Sequence, residues 1–257
     1  MTLALDQQRR RWESARRKLG MRNIDEPDFA RQGLPVPAES LSARILLLPS
    51  DPLAHLFDID ERFAEAWSLG FSDPRMNRTR LPDNVDSAFT DGFVTYSPQG
   101  DVCTWYCSID HAGALEVGLG AGAARGIGTD RIFHLSSLVG WTWWLCEVHS
   151  TLATALAIPG PFELSVSLVD VAGAQLGGLG SDWIDPRQKC PRRSKAGQTN
   201  ILLRREGSDF SGEVARDAAF SIGRQIENAF GANANRFRPA YTRTLIEFAA
   251  ATKCFSV

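Results

Sequence analysis

Cysteine and histidine lie close together at two places in this chain of 257 residues: Cys146 with His149, and Cys103 and Cys107 with His111. A thiol beside an imidazole can act as a nucleophile with its base, and positions three apart on a helix are neighbours, so Cys146 and His149 could meet. No third group to orient the histidine and no oxyanion donor can be identified in the sequence, so a structural histidine is expected. Cys103, Cys107 and His111 are spaced by four, which on a helix would gather three zinc ligands on one face. The segment Val102-Cys103-Thr104-Trp105-Tyr106-Cys107 reads instead as a strand. Residues four apart on a strand share a face but stand about 13 Å from each other, too far for one tetrahedral ion. Two half-buried thiols are expected there, with no metal site and no catalytic residue.

Gly118-Leu119-Gly120-Ala121-Gly122-Ala123 formally satisfies the dinucleotide fingerprint, whose glycines let backbone N–H groups approach a pyrophosphate. Its context argues otherwise: Gly126 and Gly128 disrupt the helix that should follow, and a hairpin return precedes it in place of the first strand of a βαβ unit. A flexible glycine loop is expected, and no cofactor. Basic residues concentrate at Arg9, Arg10, Arg11, Arg16, Arg17 and Lys18, and again at Arg187, Lys189, Arg192, Arg193 and Lys195. Either group could hold phosphates through counterion release, with Trp12 and Trp183 available to stack on bases, or could be a solvated helix face and a solvated loop. Trp143 projects opposite the face that carries Leu145 and Leu152, so it must either pack under another element or, like Trp183, mark an interaction surface.

The elements that position these groups follow from periodicity. Leu5 to Leu19 reads as a helix stopped by Gly20, and Gly33 to Ala38, with Pro35 and Pro37, as an extended linker. Ala43 to Leu48 is a core strand, and Asp58 and Asp60 precede a short helix ending near Gly70, where a carboxylate can accept the free backbone N–H groups. Phe71 to Asp86 has no sustained period and reads as loop. Phe89 to Val117 reads as an antiparallel meander, turning at Ser97 to Asp101 and at Asp110 to Gly113. A long helix follows, capped by Ser136 or Ser137, with Leu138, Trp141, Leu145, Val148, Leu152 and Leu156 along one face. A strand over Phe162 to Val171, a basic glycine-rich loop, a short strand over Asn200 to Leu203 and a helix from Val214 to Phe230 complete the order. Strands and helices fall in blocks, which predicts an α+β fold: an antiparallel or mixed sheet with long helices packed on it. Residues 1–40 would form a basic helix and linker ahead of one α+β domain over 41–257.

A hydrophobic content of 44%, a charged content of 23% and a net charge of -2 describe an ordinary globular chain whose overall charge implies no partner. No apolar run reaches the roughly 20 residues that a bilayer-spanning helix needs, so no membrane association is expected. The N-terminus lacks a signal-peptide pattern, and five irregularly spaced cysteines fit reduced thiols, so a cytoplasmic location is expected.

The block Asp91-Gly92-Phe93-Val94-Thr95-Tyr96-Ser97, the hairpin return Gly113-Ala114-Leu115-Glu116-Val117 and the helix-to-strand unit ending in Val166-Ser167-Leu168-Val169-Asp170-Val171-Ala172-Gly173 together form a pattern. It resembles the C-terminal region of bacterial proteins with a Schlafen-AlbA-type DNA-binding or ATP-binding domain. The resemblance runs from Ser42 to Phe230, and Gly118 to Gly128 and Arg187 to Lys195 lie outside its pattern. That family's N-terminal domain, to which nuclease or nucleic-acid functions would attach, has no counterpart in the forty or so residues before it, so no active-site residue carries over. The resemblance implies a non-enzymatic regulatory, sensor-like or assembly subunit. Its expected partner is a nucleic-acid-acting effector encoded by a neighbouring gene, in a bacterial regulatory or antiphage defence system. Direct nucleic-acid binding through the two basic groups is the alternative, and a Cys/His-dependent enzyme a third.

Overall fold

The computed structural model describes residues 2–21, 41–71, 85–120, 124–127, 130–169, 171, 173–177, 184–189 and 201–230. In chain order the elements are α1 (Thr2–Met21), β1 (Ala43–Pro49), α2 (Glu61–Phe71), β2 (Val85–Phe89), β3 (Gly92–Gln99), β4 (Val102–Asp110), β5 (Leu115–Leu119), β6 (Ala124–Ile127) and β7 (Asp130–His134). Then come α3 (Leu135–Leu156), β8 (Phe162–Leu168), β9 (Gln175–Gly177), β10 (Ile184–Lys189), β11 (Ile201–Gly207) and α4 (Gly212–Ala229). Seven strands form one sheet in the order β11-β8-β1-β5-β4-β3-β2. Each neighbouring pair in it is antiparallel. A smaller sheet, β10-β9-β7-β6, contains the parallel pair β7–β9. The architecture is α+β, with α3 on the large sheet and flanked by α2 and α4.

Strand alternation divides the core. Ala43, Ile45 and Leu47 of β1, with Leu115, Val117 and Leu119 of β5, join the helix-side core. Arg44, Leu46 and Leu48 point to the far side, as do Glu116 and Gly118. A guanidinium buried there must be paired, and Arg44 Nε donates to Glu116 Oε2 at 2.7 Å while the Tyr106 hydroxyl donates to Glu116 Oε1 at 2.7 Å. The Tyr106 ring reaches Glu116 by lying over Gly118, its register partner on β5; a Cβ at Gly118 would stand 2.3 Å from that ring. Gly118 is therefore a slot for Tyr106.

The helix layer is aromatic. Trp67 of α2 lies tilted against Phe71 at 4.7 Å, Phe71 meets Trp144 of α3 edge-on at 5.1 Å, and Trp144 meets Trp141 at 5.0 Å. Trp67 also donates through Nε1 to Thr95 Oγ1 at 3.0 Å, fixing α2 to β3. The expected cap of α2 is present: Asp60 Oδ1 accepts the Phe63 N–H at 2.9 Å.

Several expectations are corrected. The segment expected as loop ends in β2, which pairs along β3 from Val85↔Tyr96 to Phe89↔Gly92; residues 72–84 lie outside the described residues. The expected glycine loop contains the end of β5 and then β6, which pairs with β7 just beyond it. α3 continues directly from β7, so its N-cap is His134, without a side-chain capping bond, and Ser136 and Ser137 fall inside the first turn. β8 ends at Leu168 rather than Val171, whereas β11 runs on to Gly207. The linker over Gly33 to Ala38 lies outside the described residues.

Cys103 and Cys107 are indeed buried on a strand, but not on one face. The register of β3 and β4 shifts between Ser97↔Trp105 and Pro98↔Cys103, so Thr104 is an extra residue. This bulge turns Cys103 to the far side with Tyr106, while Cys107 stays in the helix-side core.

The Gly118 slot separates a structural glycine from a phosphate-binding one. Gly118→Ala should lower unfolding free energy by about 1–3 kcal/mol in urea titrations, because the new methyl collides with a ring that cannot leave Glu116 cheaply. Unchanged stability would mean that the glycine is not there for packing.

Candidate nucleic-acid interface

α1 packs against β1 and is tied to the neighbouring strands β8 and β11 by one cation. Glu163 of β8 and Glu206 of β11 are direct cross-strand partners, and carboxylates so placed repel each other. Arg16 Nη2 stands 3.4 Å from Glu163 and 3.6 Å from Glu206, and Arg204 Nε adds a contact of 3.7 Å to Glu163. The pairing places Arg16, with the half-buried Trp12 one turn before it, on the side of α1 that meets the sheet.

This docking sorts the first basic group. Arg16 is consumed by the sheet, whereas Arg9, Arg10, Arg11, Arg17 and Lys18 are exposed. Residues seven apart drift only about 20° round a helix, so Arg10 with Arg17 and Arg11 with Lys18 form two adjacent rows. Glu13 offsets one charge, by pairing with Arg9 at 3.1 Å. The rows could follow a phosphate backbone; Trp12, half-buried, is a packing residue before it is a stacking platform. In the second group, Arg187 and Lys189 lie on the backbone of β10, and Arg192, Arg193, Lys195 and Trp183 lie outside the described residues.

The remaining sequence candidates are inside the molecule. Trp143 is 7% exposed, meets Phe220 of α4 edge-on at 6.1 Å and donates through Nε1 to Glu147 Oε1 at 3.1 Å. Of its two expected roles, packing under another element is the one realised, because α4 covers it. Cys146 and His149 share α3, both buried. Burial, then the charge of Glu147, pushes the Cys146 thiol far up. Burial pulls His149 down to about 4, against the Gly113 carbonyl and the charge of Asp209, and its ring meets Phe162 edge-on at 4.5 Å. Burial, then Glu116, also raises Cys107 well above the ordinary thiol value. Each group is held neutral, as core packing demands and as a thiolate nucleophile would not be. Nothing local in the sequence marks Glu163 and Glu206, because β8 and β11 become neighbours only in the fold.

His149 makes the fold sensitive to acid. The folded protein refuses a proton that the unfolded chain accepts below pH 6.5, so stability falls as pH drops from about 6.5 to about 4 and is unaffected above that window. The gap corresponds to on the order of 3 kcal/mol. Burial raises Asp110 to about 6, against the amides of Ala114 and Ala112, which acts oppositely between about 6 and 3.8. Comparing His149→Leu with the native chain at each pH cancels that contribution. Urea titrations at pH 7 and pH 4.5 should show the variant gaining on the native chain by on the order of 2 kcal/mol on acidification.

Comparison of the chain with family models, with curated proteins and with solved structures finds no match.

Proposed function

We propose that this chain is a non-enzymatic regulatory or assembly subunit that works with a nucleic-acid-acting effector, and that α1 is the surface it offers. One observation carries the reading: five exposed cations stand on one helix whose sixth, Arg16, is turned inward to anchor it. An anchored helix presents its charges at little further ordering cost, which favours an anionic partner surface. The neutral, packed state of Cys107, Cys146 and His149 supports a role without nucleophilic chemistry. The resemblance to the C-terminal region of Schlafen-AlbA-type proteins supports an effector as partner and a bacterial regulatory or antiphage setting. A cytoplasmic location belongs to the same proposal: Cys107 and Cys146 are buried thiols outside any disulfide, and no helix among the described residues is long and apolar enough to cross a membrane.

Native purification after nuclease treatment tests the reading. The product of the neighbouring gene should co-elute with this chain, and Arg10→Ala/Arg17→Ala should weaken that association; separate elution of the two native proteins would remove the proposal.

The two rows of α1 also favour a second reading, direct nucleic-acid binding. It predicts that the affinity of the isolated chain for a labelled duplex or single strand falls steeply between about 50 and 200 mM salt. Arg10→Ala/Arg17→Ala should make the log–log salt slope shallower by up to about 1.8. Absent or salt-independent binding would exclude it.

A further inference from the structure

A second group of side chains lies at the turns between strands, and it converges without help from sequence spacing. His55 and Asp58 sit on the connection from β1 to α2, and His111 in the turn from β4 to β5. One ligand atom from each lies within 4.8 Å of the others. His55 Nε2 stands 2.9 Å from Asp58 Oδ1, and the His55 and His111 rings stack with centroids 4.5 Å apart. We propose that His55, Asp58 and His111 form a binding site for a first-row divalent transition ion of the zinc type.

Three features support this. The first is orientation of the ligand. His111 Nδ1 lies 2.8 Å from the Phe57 carbonyl, which can only accept, so Nδ1 carries the hydrogen and the Nε2 lone pair is left for an ion. A metal-bound histidine is ordinarily held this way, its other ring nitrogen donating to a carbonyl or carboxylate.

The second is rigidity. The Leu56 N–H donates to the His111 carbonyl at 2.8 Å, joining the two connections directly. Phe57 stacks on Phe63 at 5.7 Å, fixing the segment between the two exposed ligands. Asp110 accepts the N–H groups of Ala112 and Ala114 at 3.0 and 2.8 Å, and Gly113 takes φ 86° where a Cβ would meet Ile158 at 2.7 Å. His111 is thus placed by a turn with little freedom.

The third is the donor set. Two imidazoles and a carboxylate suit zinc and its neighbours in the first row rather than calcium or magnesium, which prefer oxygen alone. In a tetrahedral shell with bonds of 2.0–2.1 Å, neighbouring donor atoms stand about 3.3 Å apart, so small side-chain rotations close the present cluster on an ion. His55 and Asp58 are 62% and 81% exposed, which leaves the fourth position to water or to a group from a partner. A surface pair of His55 with Asp58 contributes little by itself and gives no reason for a second imidazole stacked beside it.

The test is zinc titration of the full chain, free of any affinity tag and dialysed against chelator, by isothermal calorimetry, followed by cobalt substitution. One equivalent of zinc should bind, and His55→Gln and Asp58→Asn, both exposed, should each weaken binding at least tenfold while melting like the native chain without metal. The cobalt protein should show visible absorption without a sulfur charge-transfer band. No uptake, unchanged affinity in both variants, or a sulfur band placing the ion on cysteine would each overturn the site.

Discussion

The burial of β1 on both faces and along both edges is the constraint from which the other layers follow. All seven of its residues are buried, between β8 and β5. One face takes Ile45 and Leu47 into the helix layer and needs only apolar cover. The other carries Arg44, and a guanidinium in that position demands a carboxylate with further hydrogen bonds. Glu116 answers it, Tyr106 holds Glu116, and Gly118 leaves the room that Tyr106 requires. Farther out on the same face, Glu163 and Glu206 repeat the problem with opposite sign, and their partner is Arg16 of α1. The helix proposed as the working surface is thus attached through the charge balance of the sheet's far face.

The two faces also separate stability from recognition. On the helix side, aromatic rings of α2, α3 and β4 pack against one another: Trp141 meets Trp144 edge to face, and Trp105 meets Trp141 at a tilt, 5.3 Å away. Thiols and imidazole inside that layer are held neutral by lost solvation, so residue types able to do chemistry are used there as packing groups. Groups that keep their access to solvent sit elsewhere, on α1 and at the strand turns.

What could be read from the residues was local. The spacing of Leu138, Leu145 and Leu152 gave α3, the glycine and proline turn gave the β3–β4 hairpin, and Asp60 gave the start of α2, each within one element. Pairing could not be read this way. β2 is mostly exposed at an edge and its Val-Asp-Ser-Ala-Phe run does not alternate, so nothing marks it as a strand until β3 is beside it. The bulge at Thr104 is a property of register, and it reverses which side Cys103 faces. Gly118 matched a nucleotide motif because glycine serves any close approach, and only the fold shows that Tyr106 is what approaches. Arg16 looks like its neighbours in the basic run until two carboxylates from distant strands single it out. His55 and His111 are likewise brought together by topology alone.

We place the contact between this chain and its proposed partner on anchored α1. Hydrogen exchange of the chain, free and in its natively purified complex, decides whether it lies there. Slower exchange across Arg9 to Lys18 on complex formation, with β1 and β5 unchanged, is the expected result. Slowing confined to other segments, with α1 exchanging as in the free chain, would contradict it.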